Sequence, residues 1–495
     1  MLRKKQDGMS QIFPMKTKIP GLPGIQRLSG LIFDGLVIPA VLLAAALQSC
    51  GDTDNRIAEG WEKVPGVMKQ IVAPEFPPVD FKITDYGAVG DGGTDCTVAF
   101  RSAIDSCSGA GGGRVVVPEG VYLTGAIHLK SNVNLHLTKN ATILFSEETD
   151  KYLPVVYTRF EGVECMNYSP FIYAFEQENI AITGSGLLDG QAGPDSWWPW
   201  SGKRDDGWKA GEPEQKNDRN ELFRMAEEGI PVAERVFGKN HYLRPNFIQP
   251  YKCRNVLIDS VTIKRSPMWE IHPVLCENVT VQNIHIISLG PNNDGCDPES
   301  SKNVLIRNSF FDTGDDCIAI KSGRNADGRR VNEASENIIV QGCKMKDGHG
   351  GVVIGSEITG SCRNVFVEDC FMDSPNLERV LRIKSNSMRG GVVEDIYMRN
   401  ITVGEVRDAI LRVNFQYGEG DTGPYTPVVK DIFLSNITSK KSKYAISLSG
   451  YKRSPVTNII LDSCRFNGVQ KGNILKNYKN LSMSDVYINN QLQKD

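Results

Sequence analysis

The chain has 495 residues, 40% of them hydrophobic, and its 56 Lys and Arg nearly balance 59 Asp and Glu for a formal net charge of -3. That length supports one large elongated domain or two to four ordinary ones, each with a sizeable core. The charge excludes the basic footprint expected of a DNA- or RNA-binding protein.

The N-terminal fifty residues are unlike the rest. Arg3, Lys4, Lys5, Lys16, Lys18 and Arg27 precede "LIFDGLVIPAVLLAAALQSC", whose apolar run from Val37 to Leu47 stops short of Cys50. A charged region, an apolar region and small residues before a cleavage point make an export signal. The run is shorter than the roughly 20 residues that a spanning helix needs. The "LQSC" end resembles a bacterial lipobox, so the expectation is a lipoprotein signal peptide over 1–49, a lipid on Cys50, an outer-membrane anchor with a periplasmic or cell-surface face, and a linker over 50–78. A plain signal peptide is the alternative, and Met9 and Met15 are alternative starts. Setting Cys50 aside leaves eleven of the twelve cysteines. An odd number requires a free thiol in an exported protein, and no CxxC…CxxC pattern points to zinc. Buried strand cysteines that pack as small apolar residues are the simpler reading.

Next comes "TVAFRSAIDSC" from Thr97, the best helical stripe in the chain, expected to cap the N-terminal end of a stack of strands. Beyond it a short unit recurs, an Asn or Asp followed by alternating apolar residues. It reads "NVLIDSVTI" at Asn255, "NVTVQNIHI" at Asn278, "NVLIRNSFF" at Asn303, "NIIVQGCKM" at Asn337 and "NVFVEDCFM" at Asn364, and continues to "NLSMSDVYI" at Asn480 with copies 22 to 36 residues apart. Repeats of this length made of β-branched strands indicate a solenoid. The expected fold is all-β, a right-handed parallel β-helix over residues 79–495 with a short N-terminal helical cap. A β-propeller would need units of about 40 to 45 residues with their own signatures.

Between Gly290 and Gly323 the chain places five aspartates within 23 positions, each within two residues of a Gly. In a stacked-coil fold, residues one coil apart in sequence become neighbours about 4.7 to 4.9 Å apart. Asp294 lies 21 and 22 residues before Asp315 and Asp316, the next coil brings His349 in "KDGHGGVVIGSE", and the one after brings Arg382 and Lys384 in "VLRIKSN". Four coils thus deliver three carboxylates, an imidazole, a guanidinium and an ammonium to one strip of surface. Crowded carboxylates raise one another's pKa, so one can hold a proton while its neighbours ionise. Turn chemistry and a calcium ligand set are the competing explanations.

"NNDGCD" at Asn292 to Asp297, "GDDC" at Gly314 to Cys317, "GHG" at Gly348 to Gly350 and "RIK" at Arg382 to Lys384 resemble, in order and spacing, the four signatures of glycoside hydrolase family 28, the polygalacturonases. The resemblance runs from about Phe81 to the C-terminus, with Asn293 standing where the family often has Thr. It implies a pectin-lyase-like solenoid that hydrolyses α-1,4-linked galacturonic acid with inversion. It also implies Asp315 as general acid, Asp294 and Asp316 as the groups that hold and deprotonate water, and His349 as the partner that tunes the acid. An inverting glycosidase needs such a split, with carboxyl groups about 6.5 to 9.5 Å apart. Arg382 and Lys384, on one strand face, are expected to clamp the substrate carboxylate.

Further expected substrate contacts are Asn292, Asp297, His272 and Tyr417. Trp269 is a candidate too, in a stretch resembling bacterial exo-acting members, with core packing as the alternative. The insert "DSWWPWSGKRDDGWKAG" carries four tryptophans, and is expected to wall one end of the cleft and so impose release from a chain end. The resemblance calls for no cofactor and no metal. The expected partners are a pectic polysaccharide or oligogalacturonide and membrane lipid, with no nucleic acid, and the chain is expected to be monomeric. Rival readings are a galacturonidase acting on rhamnogalacturonan, a calcium-dependent pectate lyase on the same fold, and a non-catalytic carbohydrate-binding β-helix.

Overall fold

The computed structural model describes residues 56–493. Within them the Asn that opens each repeat has a structural cause. Asn255, Asn278, Asn303, Asn337 and Asn364 have φ between 54° and 61°, the left-handed conformation that Asn tolerates better than most residues with a side chain. Their amides stack from coil to coil. Asn278 Nδ2 donates to Asn255 Oδ1 at 2.6 Å, Asn337 to Asn303 at 3.0 Å and Asn364 to Asn337 at 3.2 Å. The turn that bends each coil and the ladder that aligns one coil on the next therefore come from the same residue.

Each Asn leads into a strand whose alternate residues point inward. Val256, Val279, Val304, Ile338 and Val365 occupy one column of parallel pairings, and Ile396, Ile432 and Ile459 continue it. All are buried, each contributing about 1.5–3 kcal/mol of apolar burial. No coil can do this alone, because its inward face is covered only by the coils above and below. The result is the expected right-handed parallel β-helix. Its N-terminal end is capped by the helix Thr97–Gly109, which turns Ala99, Phe100, Ala103, Ile104 and Cys107 inward. The eleven cysteines among the described residues are all free and buried.

One further sheet positions the chemistry. Strands Ile318–Ile320, Val352–Ile354, Arg379–Lys384, Ala409–Asn414, Tyr444–Ser449 and Ile474–Lys476 lie parallel in a six-stranded sheet. Single bridges extend it backward through Cys296 and Ile271 to Ile248. Ile318, Val352 and Leu381 are paired in register and buried, so alternate residues along these strands face outward.

Two features depart from the repeat. Residues 56–78, expected as part of a linker, are helical over 56–62 and Val64–Met68 and are packed on the outside of the solenoid. Trp61 meets Phe366 and Tyr397 at ring distances of 5.6 and 6.3 Å, and Arg399 lies over Trp61 at 3.8 Å. The cause is an outward-facing aromatic column, Phe366, Tyr397 and Phe433, stacked on successive coils, which the segment covers and helps to bury. The second departure is a hairpin, Val156–Phe160 with Val163–Asn167, beside helices Lys216–Glu227 and Asn325–Val331. Ion pairs fasten this region: Arg159 of the hairpin to Glu299 at 3.0 Å and Arg235 to Asp327 at 2.8 Å, both buried, and the half-exposed Arg330 to Glu164. No described helix is long and apolar enough to cross a membrane. The signal peptide and Cys50 lie outside the described residues.

Candidate active site

The loops entering the six-stranded sheet, and its outward positions, converge on a cavity of about 760 Å³. Asp294, Asp315, His349, Arg382 and Lys384 all line it, with Asn292 and Tyr417 at its wall. Residues from four coils are therefore brought together as the repeat spacing requires.

Asp315 and Asp316 adjoin in sequence but have different neighbours. Asp315 Oδ1 accepts from His349 Nδ1 at 2.8 Å and from the Asp316 amide at 3.0 Å. The His349 amide in turn donates to the Asp315 carbonyl at 3.0 Å, which locks the two coils together at this point. Asp316 is fully buried; Lys384 Nζ donates to its Oδ2 at 2.7 Å, and Arg382 reaches Oδ1 at 3.5 Å. Arg382 and Lys384 also lie 5.5 and 5.2 Å from the Tyr417 ring centroid. Gly350 is required between them, because a Cβ there would fall 2.4 Å from Val353 Cγ2.

The carboxyl that crowding and burial push upward is Asp294, not the expected acid Asp315. Burial, then the charges of Asp297 and Asp315, push the Asp294 carboxyl well above the usual range. Asp297 is likewise raised, to about 8, by burial. Burial would raise Asp315 as well, but the His349 hydrogen bond and charge, with Lys384 and Lys321, outweigh it and hold this carboxyl well below the usual range. His349 is raised by its bond to Asp315, against the opposing effect of burial. In the free protein these interactions favour the shared proton of the Asp315–His349 pair on the imidazole, and the carboxyl pushed toward its protonated form is the deeper Asp294.

Several expected contacts are relocated. His272 is fully buried, its Nε2 2.7 Å from Glu299 and its Nδ1 2.9 Å from both Asn246 and Gln249, so it supports the floor and cannot touch a sugar. Asp297 is also fully buried, 3.5 Å from Lys321, and belongs beneath the site. Asn292 keeps its place on the cavity but spends Oδ1 on Arg244 at 2.7 Å. In the insert, Trp197 is buried against Tyr152 and Phe171, and Trp198 donates to the Ser266 carbonyl at 2.9 Å. These tryptophans fasten the insert to the solenoid, and the insert's contribution to the cavity is Lys203.

Lys321, Glu357, Arg324, Arg219 and Glu161 also line the cavity and carry no motif in the sequence. Lys321 alone was within reach of sequence reasoning: it follows Ile318 by three, on the strand of "GDDCIAIKSG", in the parity that faces outward. Its ammonium lies 3.4 Å from Asp294, 3.7 Å from Glu357 and 4.3 Å from the Trp269 ring centroid.

Asp315, Asp316 and His349 present donor atoms within 4.8 Å of one another, a density that could hold a metal ion. Lys384 and Arg382 already supply the positive charge against Asp316, so the set is complete as an acid–base centre.

A parallel solenoid with a carboxylate triad, a histidine and a cationic pair on its outer face defines a glycoside hydrolase that acts on an anionic sugar. The family model of glycosyl hydrolases family 28 matches residues 236–485, and a rhamnogalacturonase A/epimerase, pectate lyase-like model matches residues 81–143. The chain belongs to glycoside hydrolase family 28. It is 28% identical over 443 residues to the exo-poly-alpha-D-galacturonosidase of Dickeya chrysanthemi, covering 83% of this chain and 71% of that protein. It is 29% identical over 397 residues to a probable polygalacturonase of Vitis vinifera, covering 77% and 73%. Among solved structures, the hyperthermoactive exopolygalacturonase of Thermotoga maritima is 47% identical with a TM-score of 0.85, covering 87% of this chain and 96% of that one.

Proposed function

We propose that the protein is an exo-acting hydrolase of α-1,4-linked galacturonic acid in homogalacturonan or its oligosaccharides, working with inversion. The observation that carries this is the convergence of Asp294, Asp315 and His349 with Arg382 and Lys384 on one cavity; the relatives named as exo-acting agree with it.

Asp315 is the proton donor. Its Oδ1 is committed to His349 and the Asp316 amide, which leaves Oδ2 for the glycosidic oxygen. The proton reaches it from His349, whose side chain is 46% exposed and open to exchange with solvent. Lys384 and Lys321 are among the charges that hold Asp315 down. A uronate carboxylate seated beside them offsets that field, so substrate binding itself favours the proton on Asp315. Asp294 and Asp316 hold the water and take its proton: Asp294 Oδ1 has no protein donor and is free to bind it, and Asp316, paired with Lys384, receives the proton.

The test is the identity of the first products. Purified protein incubated with polygalacturonate, rhamnogalacturonan and short galacturonate oligomers is expected to release saturated galacturonate from homogalacturonan ends. Unsaturated, ultraviolet-absorbing products, or turnover of rhamnogalacturonan alone, would overturn the reading.

The protein is also proposed to be exported and lipid-anchored through Cys50, on the strength of the "LQSC" sequence after an apolar run. Labelled palmitate entering the wild type and not Cys50→Ala supports this; a soluble product with a free N-terminus at another position refutes it.

A further inference from the structure

The two ends of the solenoid are finished differently. The N-terminal end is closed by the helix Thr97–Gly109, whereas no helix follows Val331 among the described residues. The last parallel strands, Ile474–Lys476, Tyr478–Ser484 and Tyr487–Ile488, pair back onto Tyr444–Ser449, Val456–Asp462 and Arg465–Phe466. Among the described residues only the short strand Gln491–Leu492 follows them, antiparallel to Tyr487–Ile488. Leu475, Leu481 and Ile488 are consequently only half-buried, although the residues in register with them one coil earlier, Leu448, Ile459 and Phe466, are fully buried. Tyr478 and Leu492 are exposed at the same end.

This apolar edge is set in positive charge. Residues 430–493 contain ten Lys and Arg against three Asp and no Glu, a balance of +7 in a chain whose total is -3. Arg453 and Arg465 are spent on Asp421 and Asp485, and Lys430 and Lys441 on Glu394 and Glu405. Lys440, Lys452, Lys471, Lys476 and Lys479 are exposed and have no ion-pair partner among the described residues. Lysines on an edge strand discourage pairing with another chain, which accounts for Lys476 and Lys479. Lys440 and Lys452 lie on earlier coils and need another reason.

The N-terminal segment leads to the same end. It follows the Asn ladder from coil to coil: Val72 exchanges two hydrogen bonds with Asn278, each 2.9 Å, Gln70 accepts from Asn303 at 3.2 Å, Lys63 donates to Asn364 at 3.2 Å, and Arg56 pairs with Asp431 at 2.7 Å. Its upstream end is thus fixed at the first of the basic coils. Cys50 precedes Arg56 by six residues, which span at most about 22 Å. A lipid on Cys50 therefore holds this end of the solenoid, and not the capped one, near a bilayer.

We propose that the C-terminal end of the solenoid is a membrane-docking face for anionic lipid headgroups, its lysines meeting phosphates while Tyr478, Leu481 and Leu492 settle at headgroup level. The proposal takes its orientation from the reading of Cys50 as a lipid anchor, but not the binding itself. A basic surface gains affinity for anionic lipid with each lysine near the bilayer, and aromatic and leucine side chains favour the interface. A soluble polyanion would answer the charge but has no use for the apolar edge. No residue after Glu419 lines the catalytic cavity, so docking by this face leaves the cavity free.

The test uses the chain from residue 50 onward carrying Cys50→Ala, which retains every described residue and takes no lipid, and the same chain with Lys452→Glu, Lys471→Glu, Lys476→Glu and Lys479→Glu. Vesicles of phosphatidylglycerol and phosphatidylcholine are expected to carry down the first protein, less so as salt is raised, and vesicles of phosphatidylcholine alone should leave it in solution. The four replacements should weaken this sedimentation at least about tenfold with the unfolding midpoint unchanged. In the lipidated wild type, the mixed vesicles should shield these lysines from acylation but not Lys82, which is exposed near the capped end; this keeps the test decisive if the fourfold variant does not fold. Equal sedimentation with both kinds of vesicle, equal sedimentation of both proteins, or uniform acylation overturns the inference. So does the loss, in the fourfold variant, of an oligomer or of polygalacturonate retention, which would give the face to a second copy or to polymer. If Cys50 proves to carry no lipid, only the anchor reading falls, and sedimentation still decides the docking face.

Discussion

Lys384 and Arg382 are two residues apart on one strand face, yet the structure predicts different consequences from removing them. Lys384 Nζ lies 2.7 Å from Asp316 Oδ2, with side-chain exposures of 8% and 0%. Replacing it by Met, similar in length and uncharged, strands a buried carboxylate, and breaking one side of such a pair costs about 3–5 kcal/mol. Arg382 stands 3.5 Å from the same carboxylate and is 14% exposed. In Arg382→Met, Asp316 keeps its closer partner, and the loss should be on the order of 1 kcal/mol, that of one hydrogen bond. For kcat/KM on unesterified oligomers both variants should fall by at least about tenfold, roughly 1.4 kcal/mol, because a carboxylate misplaced beside the scissile bond costs rate as well as affinity. The assay pairs urea unfolding midpoints with kcat/KM on free and methyl-esterified substrate. Equal midpoints for the two variants would refute the division of labour. Unchanged discrimination in Arg382→Met would remove the guanidinium from substrate recognition.

Three other outcomes are expected from the same geometry. Asp315→Asn should leave the fold intact and lower turnover by about 10²- to 10⁴-fold, since the amide keeps the shape but cannot donate the proton; activity above about a tenth of wild type places the acid elsewhere. The first product seen by NMR should be the β-anomer, and an initial α-anomer would mean retention and a closer carboxylate pair. Glu270, fully buried, is raised by that burial from 4.5 to about 8. The stability gained by keeping it protonated is therefore complete below about pH 4.5 and lost as pH rises through about 8. Glu270→Gln has no proton to lose, so its unfolding midpoint should fall less than that of the wild type between pH 5 and 9, and parallel curves would refute the assignment.

The legible part of this protein is the part written as a repeat. Coil spacing alone brings Asp294, Asp315, His349 and Arg382 together, because stacking converts a distance of about one coil in sequence into a contact in space. The cap helix is legible for a similar reason, its inward stripe from Ala99 to Cys107. Features outside the repeat are misread or missed. The helix Lys216–Glu227 buries only Leu222 and Ala226, too few to make a stripe, and the hairpin that presents Glu161 has no signature at all. His272 and Trp197 carry functional-looking side chains, but the layer in which they sit depends on which neighbours cover them. The proton distribution between Asp294 and Asp315 is equally out of reach. It turns on which carboxyl the His349 imidazole reaches, and Asp294 and Asp315 look alike in a string of letters.

The paired aspartates of "GDDC" show how the fold makes two tools from one residue type. The pair lies in the bend between strands Phe310–Thr313 and Ile318–Ile320, where the two side chains leave the backbone in different directions. Asp316 therefore meets the next coils from beneath, at Lys384 and Arg382, while Asp315 turns toward the solvent-facing His349. The first arrangement pins a carboxylate between two cations; the second leaves a proton where it can exchange with solvent. Moving either residue by one position would exchange these surroundings, and the chemistry needs both at once. The insertions act on a different requirement. Lys203, Arg219 and Glu161 reach the cavity from outside the coil stack, so they can alter what is admitted without disturbing the register that aligns the acid, the water site and the carboxylate clamp.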